Sequence, residues 1–377
     1  MPTPIGFLRH NFLARSETFI YGSLRAVHDA GNFSVRVFAS RRLLPERFPW
    51  DDVTLVDGFA RTRYLATRSA GRFASWASSV KLIHAHLGQT GPYAMAGAEK
   101  AGIPFVVSYY GHDVVMYKTR ERFASWAWWY TLTRKKVFAR AAKILVLSQH
   151  MQRALEAQGC PADKLEVVRL GVDLSRFAGA AKLARDTTRD RPLRVLMVGR
   201  EVDKKGFDDG LRACKGAIDR GLACEVTVLG TDGPLKPQLQ ALAGELGVPV
   251  AWPDPASPVP DAMAHADVLL VPSRTAVNGD EEGTPTVIIE AGAAGLPVIS
   301  TRHAGIPEQI IDGETGLLCP ERDPVALTEA LLALADPARR GPLAAAARDK
   351  MLAEYSLPAH VARLEQVYAS VLGATSE

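Results

Sequence analysis

The feature that most constrains this chain is a rhythm of short apolar, β-branched runs alternating with helical stretches, in two consecutive series. The first series is Ser34–Ala39, Val53–Val56, Lys81–His86, Phe105–Tyr110, Ile144–Leu147 and Leu165–Leu170. The second is Leu193–Gly199, Glu225–Gly230, Val248–Trp252, Val268–Pro272, Pro297–Thr301 and Gly316–Cys319. Most of these runs are apolar on both faces, as strands of a parallel sheet covered by helices must be. Ser16-Glu17-Thr18 opens a helix that ends near Gly31, and Ser148 caps another that stops at Gly159. Two such series predict two doubly wound α/β domains, because a chain of 377 residues is too long for one ordinary core.

The break falls in the polar segment Ala178–Pro192, which separates a first domain at 1–180 from a second at 190–352. A last helix begins near Leu357 after the stop at Ser356-Leu357-Pro358. Open parallel sheets bind ligands at the carboxyl ends of their strands, so the expected site is a cleft that the two domains face.

Composition narrows the class. Apolar residues at 47% and charged residues at 23% exclude a disordered chain. Four cysteines without a Cys-x-x-Cys pair are neither a disulfide framework nor a zinc site, and they fit a reduced, cytoplasmic setting. No apolar run approaches the ~20 residues that span a bilayer, and Arg9, His10 and Arg15 interrupt the N-terminus too early for a signal peptide. Residues 1–180 hold 25 Lys/Arg against 13 Asp/Glu, whereas 181–377 hold 20 against 28. A basic half favours anionic partners, although two oppositely charged domains that attract each other would show the same asymmetry.

The chemistry concentrates in Val271–Pro297. A strand ends at Val271-Pro272-Ser273, and Gly283-Thr284-Pro285 opens an Ala/Gly-rich helix. Thr284 reads as the N-cap and Pro285 as the first helical residue. The free amides around Gly283–Thr286, with the positive end of the helix dipole, form a ready anion site. Glu282 and Glu290 flank it, and a carboxylate that accepts from two hydroxyls suits sugar or ribose diols. Gly199-Arg200 and Lys204-Lys205-Gly206 supply cations for a diphosphate, though either pair read alone fits a solvated strand-end loop. Asp280 and Glu281 read as solvated loop acids.

Taken in order, Gly199-Arg200…Lys205-Gly206, Gly230-Thr231-Asp232-Gly233-Pro234, Glu282-Gly283-Thr284-Pro285…Glu290-Ala291 and Gly305-Ile306-Pro307-Glu308 resemble glycosyltransferase family 4. These are retaining, nucleotide-sugar-dependent enzymes of the GT-B fold. Ser148…Gly171-Val172-Asp173 matches the same family's interdomain stretch. Ser16-Glu17-Thr18-Phe19-Ile20, His84-Ala85-His86 and Gly111-His112-Asp113 resemble its colanic-acid and amylovoran-type branch. The likeness covers nearly the whole chain and is most specific from Leu193 to Pro320.

The resemblance implies roles. Arg200 and Lys205 would hold the donor diphosphate, Glu282 would face the donor sugar, and Glu290 would hold the ribose diol. Gly199 and the Gly283, Thr284, Pro285 and Thr286 segment would complete the donor site, with Arg200, Lys205 and Glu282 as the catalytic set. Ser16, Glu17, His86, Tyr110, Gly111, His112 and Asp113 would lie on the acceptor side, and the last helix, about 357–377, would pack back on the first domain. Two departures matter. The family's usual His two positions before His112 is here Tyr110, so no single catalytic His follows. The loop that commonly neighbours the nucleobase reads Ala251-Trp252-Pro253, which leaves UDP, GDP and ADP open.

The resemblance implies transfer of a hexosyl residue from a nucleotide diphosphate sugar to a hydroxyl acceptor, in polysaccharide or glycolipid biosynthesis. The alternatives are a nucleotide-sugar epimerase of the same fold and a non-catalytic nucleotide-sugar-binding subunit. No Asp-x-Asp pair sits beside the phosphate site, so neither metal nor cofactor is expected. No nucleic-acid reader motif is present. Lys118–Lys143 interleaves Trp126, Trp128 and Trp129 with Lys and Arg, which describes a helix at an anionic membrane surface and a core stripe alike.

Overall fold

Every strand pairing in the computed structural model, which describes residues 1–14, 17–55, 71–116, 125–177 and 191–374, is parallel. The chain divides into two units, Met1–Gly171 with Leu357–Glu377 and Val172–Ser356. The division falls at Gly171, not inside Ala178–Pro192. Val172 donates its amide to the Tyr355 carbonyl, and Leu174 and Phe177 are buried in a short turn packed on the helix Thr286–Ala294.

The first unit holds β1 (Thr3–Phe12), β2 (Phe33–Arg42), β3 (Val53–Leu55), β4 (Leu82–His86), β5 (Phe105–Ser108), β6 (Lys143–Val146) and β7 (Leu165–Val167), in the order β3-β2-β1-β4-β5-β6-β7. Each run of the first series overlaps one of these strands. The periodicity missed β1, the strand at the switch point, because Arg9, His10 and Asn11 break its apolar pattern. These polar residues sit at its carboxyl end, where a doubly wound sheet presents its ligand-binding edge.

The last helix, Leu357–Gly373, lies in this first unit. Val361, Leu364, Tyr368 and Val371 recur at three- and four-residue spacing and are buried against Ile20, Leu24 and Val27 of the helix Thr18–Asp29 and against β1. Each such side chain contributes about 1.5–3 kcal/mol of burial. Polar contacts set the register. His360 is bonded through Nε2 to Ser23 Oγ and through Nδ1 to the Arg169 carbonyl, each at 2.7 Å. Tyr368 OH lies 2.6 Å from His84 Nδ1, and His84 Nε2 lies 2.8 Å from Ser108 Oγ.

The second unit holds β8 (Leu193–Val198), β9 (Cys224–Leu229), β10 (Val250–Ala251), β11 (Val268–Val271), β12 (Val298–Thr301) and β13 (Leu317–Cys319), in the order β10-β9-β8-β11-β12-β13. Its switch point lies between β8 and β11, whose carboxyl ends carry Gly199-Arg200 and Pro272-Ser273. Among the described residues no helix is long and apolar enough to cross a membrane.

Candidate active site

In the second unit the residues after β8 and β11 meet. Lys205 arrives through a tight turn closed by Gly206, whose φ is +60°. A Cβ at Gly206 would lie 2.0 Å from the Pro272 carbonyl oxygen, so this turn requires glycine. Lys205 Nζ stands 2.7 Å from Glu282 Oε1, and both side chains are largely buried. Burial opposes a charge on Glu282, but Lys205 and then Lys204 prevail and hold its carboxyl below the usual range. Lys204 Nζ lies 3.1 Å from Asp280 Oδ2 and donates to the Glu281 carbonyl at 3.1 Å. Asp280 is therefore a partner in the site and not the solvated loop acid expected of it. Arg200 is exposed at the end of β8, and its side chain makes no ion pair or hydrogen bond among the described residues.

The helix opens one residue later than expected. Pro285, with ψ at 110°, occupies the N-cap position, and the helix runs Thr286–Ala294. Thr284 therefore caps nothing, and its Oγ1 is buried without a partner. Three further buried polar atoms of this unit lack a hydrogen-bond partner among the described residues: Ser273 Oγ, Gln309 Oε1 and Glu282 Oε1, whose one close contact is the Lys205 ammonium. The amides of Gly283, Thr284 and Thr286 also find no acceptor among the described residues. Unpaired buried polar groups cost free energy, so a concentration of them beside fixed cations suits a polar, anionic ligand. Glu290 lies further along the same helix. Burial raises its carboxyl above the usual range, and the Thr286 hydrogen bond and the Arg176 charge offset only part of this.

Sequence reasoning passed over three residues that build this site. Arg274 is almost fully buried and reaches Asp209 Oδ2 at 2.6 Å, Asp203 Oδ1 at 2.7 Å and Asp208 at 3.0 Å, while its own amide donates to the Lys204 carbonyl at 2.9 Å. It ties the loop after β11 to the turn that delivers Lys205. His303 accepts the Glu282 amide on Nε2 at 3.0 Å, and its Nδ1 lies 2.7 Å from Glu321 Oε1. These side chains are unremarkable in sequence, and only their partners show a role.

The first-unit residues expected on the acceptor side separate into groups. Glu17 pairs with Arg9 and accepts the Ala14 amide at 2.7 Å. His86 stacks on Phe7 with ring centroids 4.1 Å apart, and its Nδ1 lies 2.6 Å from Tyr110 OH. Burial, then the charges of His84, Arg9 and His360, keep His86 neutral. Burial also raises the Tyr110 hydroxyl, with Arg9 acting against it and Glu17 adding to it. Asp113 accepts the amides of Gly88, Tyr110 and Gly111 at 2.8, 2.9 and 3.0 Å, which holds Gly111 at φ 125° and gives Asp113 a structural part. His112 is exposed at the start of a short helix. Ser16 lies outside the described residues, as do Lys118, Arg120, Arg122 and the side chains of Trp126, Trp128 and Trp129. Tyr130, from the same stretch, belongs to the core at 1% exposure.

Two family models match the chain. Residues 16–171 match the Glycosyl transferase 4-like domain, and residues 192–336 match Glycosyl transferases group 1. The amylovoran biosynthesis glycosyltransferase AmsK of Erwinia amylovora is 38% identical over 226 residues, 59% of this chain and 54% of that protein. A GDP-mannose-dependent alpha-(1-6)-phosphatidylinositol monomannoside mannosyltransferase of Mycolicibacterium smegmatis is 35% identical over 218 residues, 55% of this chain and 56% of that one. The chain thus spans about half the length of these curated relatives. Anabaena HepE, solved with UDP and glucose, superposes with a TM-score of 0.76 at 18% identity over 98% of this chain and 100% of its own. Sucrose-phosphate synthase of Thermosynechococcus elongatus gives 0.74 at 20% identity over 99% of this chain and 100% of its own. At such identities the likeness shows the fold. The chain belongs to the family 4 glycosyltransferases, with the two-domain GT-B fold.

Proposed function

We propose that this protein transfers a hexosyl residue from a nucleotide diphosphate sugar to a hydroxyl acceptor with retention of anomeric configuration, in polysaccharide or glycolipid biosynthesis. The observation that carries the reading is the Lys205–Glu282 pair at 2.7 Å beside the unpartnered amides of Gly283, Thr284 and Thr286. When the donor binds, the diphosphate takes Lys205 and the free guanidinium of Arg200, and Glu282 turns to the sugar hydroxyls. Glu290 holds the ribose diol.

The bond from the anomeric carbon to the phosphate oxygen breaks, and fixed cations with the helix amides stabilise the charge that develops. The acceptor oxygen bonds to the anomeric carbon on the face the diphosphate leaves, and its proton passes to a departing phosphate oxygen. No strong protein base is needed, and no metal is invoked, because the charge on the leaving group is met by the chain itself. Tyr110 and His86 stand on the acceptor side. UDP and GDP are the bases to try first, given the UDP complex of HepE and the GDP-mannose dependence of the mycobacterial relative.

The test is a panel of UDP-, GDP- and ADP-sugars, each assayed with hydroxyl acceptors, with the anomer of any product read by NMR. An inverted product would overturn the mechanism. Conversion of a donor incubated alone into its epimer would favour the epimerase reading instead.

A further inference from the structure

We propose that His303 and Glu321 are positioning residues for Glu282, holding the backbone of the catalytic loop so that its carboxylate can exchange Lys205 for a ligand. The inference rests on the activity proposed above and adds two residues to its machinery.

The argument is one of donors and acceptors. The Glu282 amide donates to His303 Nε2 at 3.0 Å, so that nitrogen carries a lone pair. The ring proton must then sit on Nδ1, where it donates to Glu321 Oε1 at 2.7 Å. The other oxygen of Glu321 accepts the Thr275 amide at 2.9 Å. Both carboxylate oxygens are thus committed as acceptors, and together they choose the tautomer that Glu282 needs. A backbone amide donating to an imidazole nitrogen is a specific arrangement, because neither the other tautomer nor an imidazolium can accept it. His303 is 1% exposed, so water cannot substitute.

Two observations show that the fold maintains this arrangement against a cost. Ala304, next to His303, has φ of +46°, a region that disfavours any residue with a Cβ. The short helix that follows returns to the same loop, where Gln309 Nε2 donates to the Pro285 carbonyl at 3.1 Å. The segment 303–309 therefore grips Glu282–Pro285 at its first amide and its last carbonyl, which bracket the free amides of Gly283 and Thr284. Lys205 and Glu282 are 77 positions apart, and this grip fixes the position of one of them.

The test compares His303→Ala, His303→Gln and Glu321→Gln. Glutamine at 303 can still offer an acceptor to the Glu282 amide, whereas glutamine at 321 places an amide nitrogen against either the His303 or the Thr275 proton. We expect His303→Ala and Glu321→Gln to lower kcat by about tenfold to a hundredfold with little change in donor KM, as a displaced catalytic group does. His303→Gln should recover most of the rate. Alongside, a 13C-NMR titration of Glu282 should show its carboxyl moving up towards the ordinary range in His303→Ala and Glu321→Gln but not in His303→Gln. Rates and titrations that match wild type in both disruptive variants would overturn the proposal, as would failure of His303→Gln to rescue either. If the wild type transfers no sugar at all, the proposed activity fails, and the Glu282 titration alone decides the positioning role.

Discussion

Lys205 Nζ and Glu282 Oε1 lie 2.7 Å apart at the carboxyl edge of the second sheet, the lysine keeping the acid charged where burial would discharge it. On the proposed reading, the pair holds the site in the ionisation state that a diphosphate sugar requires. A ligand that brings its own negative charge and hydroxyls replaces each partner in turn without moving a proton.

Removing either cation should therefore separate activity from folding. Lys205→Ala and Arg200→Ala are each expected to lose transfer by about 2–4 kcal/mol, the scale of a charge-assisted contact made to a developing charge. Thermal unfolding of Arg200→Ala should match wild type, since Arg200 is exposed. Activity within about twofold of wild type in both variants would remove the diphosphate from this site.

Turnover should survive chelation. In the proposed mechanism Lys205, Arg200 and the amides of Gly283, Thr284 and Thr286 meet the leaving group's charge, so EDTA is expected to leave the rate nearly unchanged. Inactivation by EDTA that Mn²⁺ or Mg²⁺ reverses would contradict this.

Arg274 should matter to architecture first and catalysis second. Arg274→Ala leaves Asp203, Asp208 and Asp209 facing one another and releases the loop that carries Glu282. Breaking a buried pair costs about 3–5 kcal/mol, and the partial exposure of Asp203 and Asp208 reduces that. Urea denaturation should show a loss of about 2–3 kcal/mol, and restoring the charge with Arg274→Lys should recover only part of it, because lysine cannot fork to three carboxylates.

The first unit should weaken in mild acid. Burial, then the neighbouring His360, lower the His84 pKa to about 3, and burial also lowers His86 and His360. The unfolded chain takes up these protons near pH 6.5 while the folded chain refuses them. The stabilisation is therefore complete above about pH 6.5 and is lost as the pH falls towards 3, at about 1.4 kcal/mol per pH unit for each histidine. Urea midpoints measured between pH 7 and 5 test this. His84→Gln should show a shallower slope than wild type, and an unchanged slope would mean that His84 titrates normally.

The basic first half should seek anionic surfaces. Leu132, Lys135 and Lys136 are exposed on the helix Ser125–Arg140, whereas Tyr130, Val137 and Phe138 of the same helix are buried. An anionic leaflet attracts each clustered cation by about 1 kcal/mol, less at high salt. Vesicle co-sedimentation should rise with phosphatidylserine content, fall with salt, and weaken on charge reversal at Lys135 and Lys136. Absence of binding at every lipid composition would assign this face to a soluble acceptor.

Strand and helix placement was legible in the sequence because it rests on local periodicity, which neighbouring residues alone decide. Each apolar run of both series meets a strand, and Ser148 caps its helix through a hydrogen bond to the Met151 amide. That Lys205 and Glu282 share one site was legible for a related reason, since each stands next to a glycine in a loop that follows a strand of the second series. What only the tertiary structure decided is every role that depends on a distant partner. Arg9 reads as a break in an apolar run until Glu17 is beside it. Thr284 reads as a cap until Pro285 takes that place. Arg274, His303 and Glu321 have no local signature at all, because a buried charge or a chosen tautomer is set by what packs against it, and those neighbours come together only when the chain has folded.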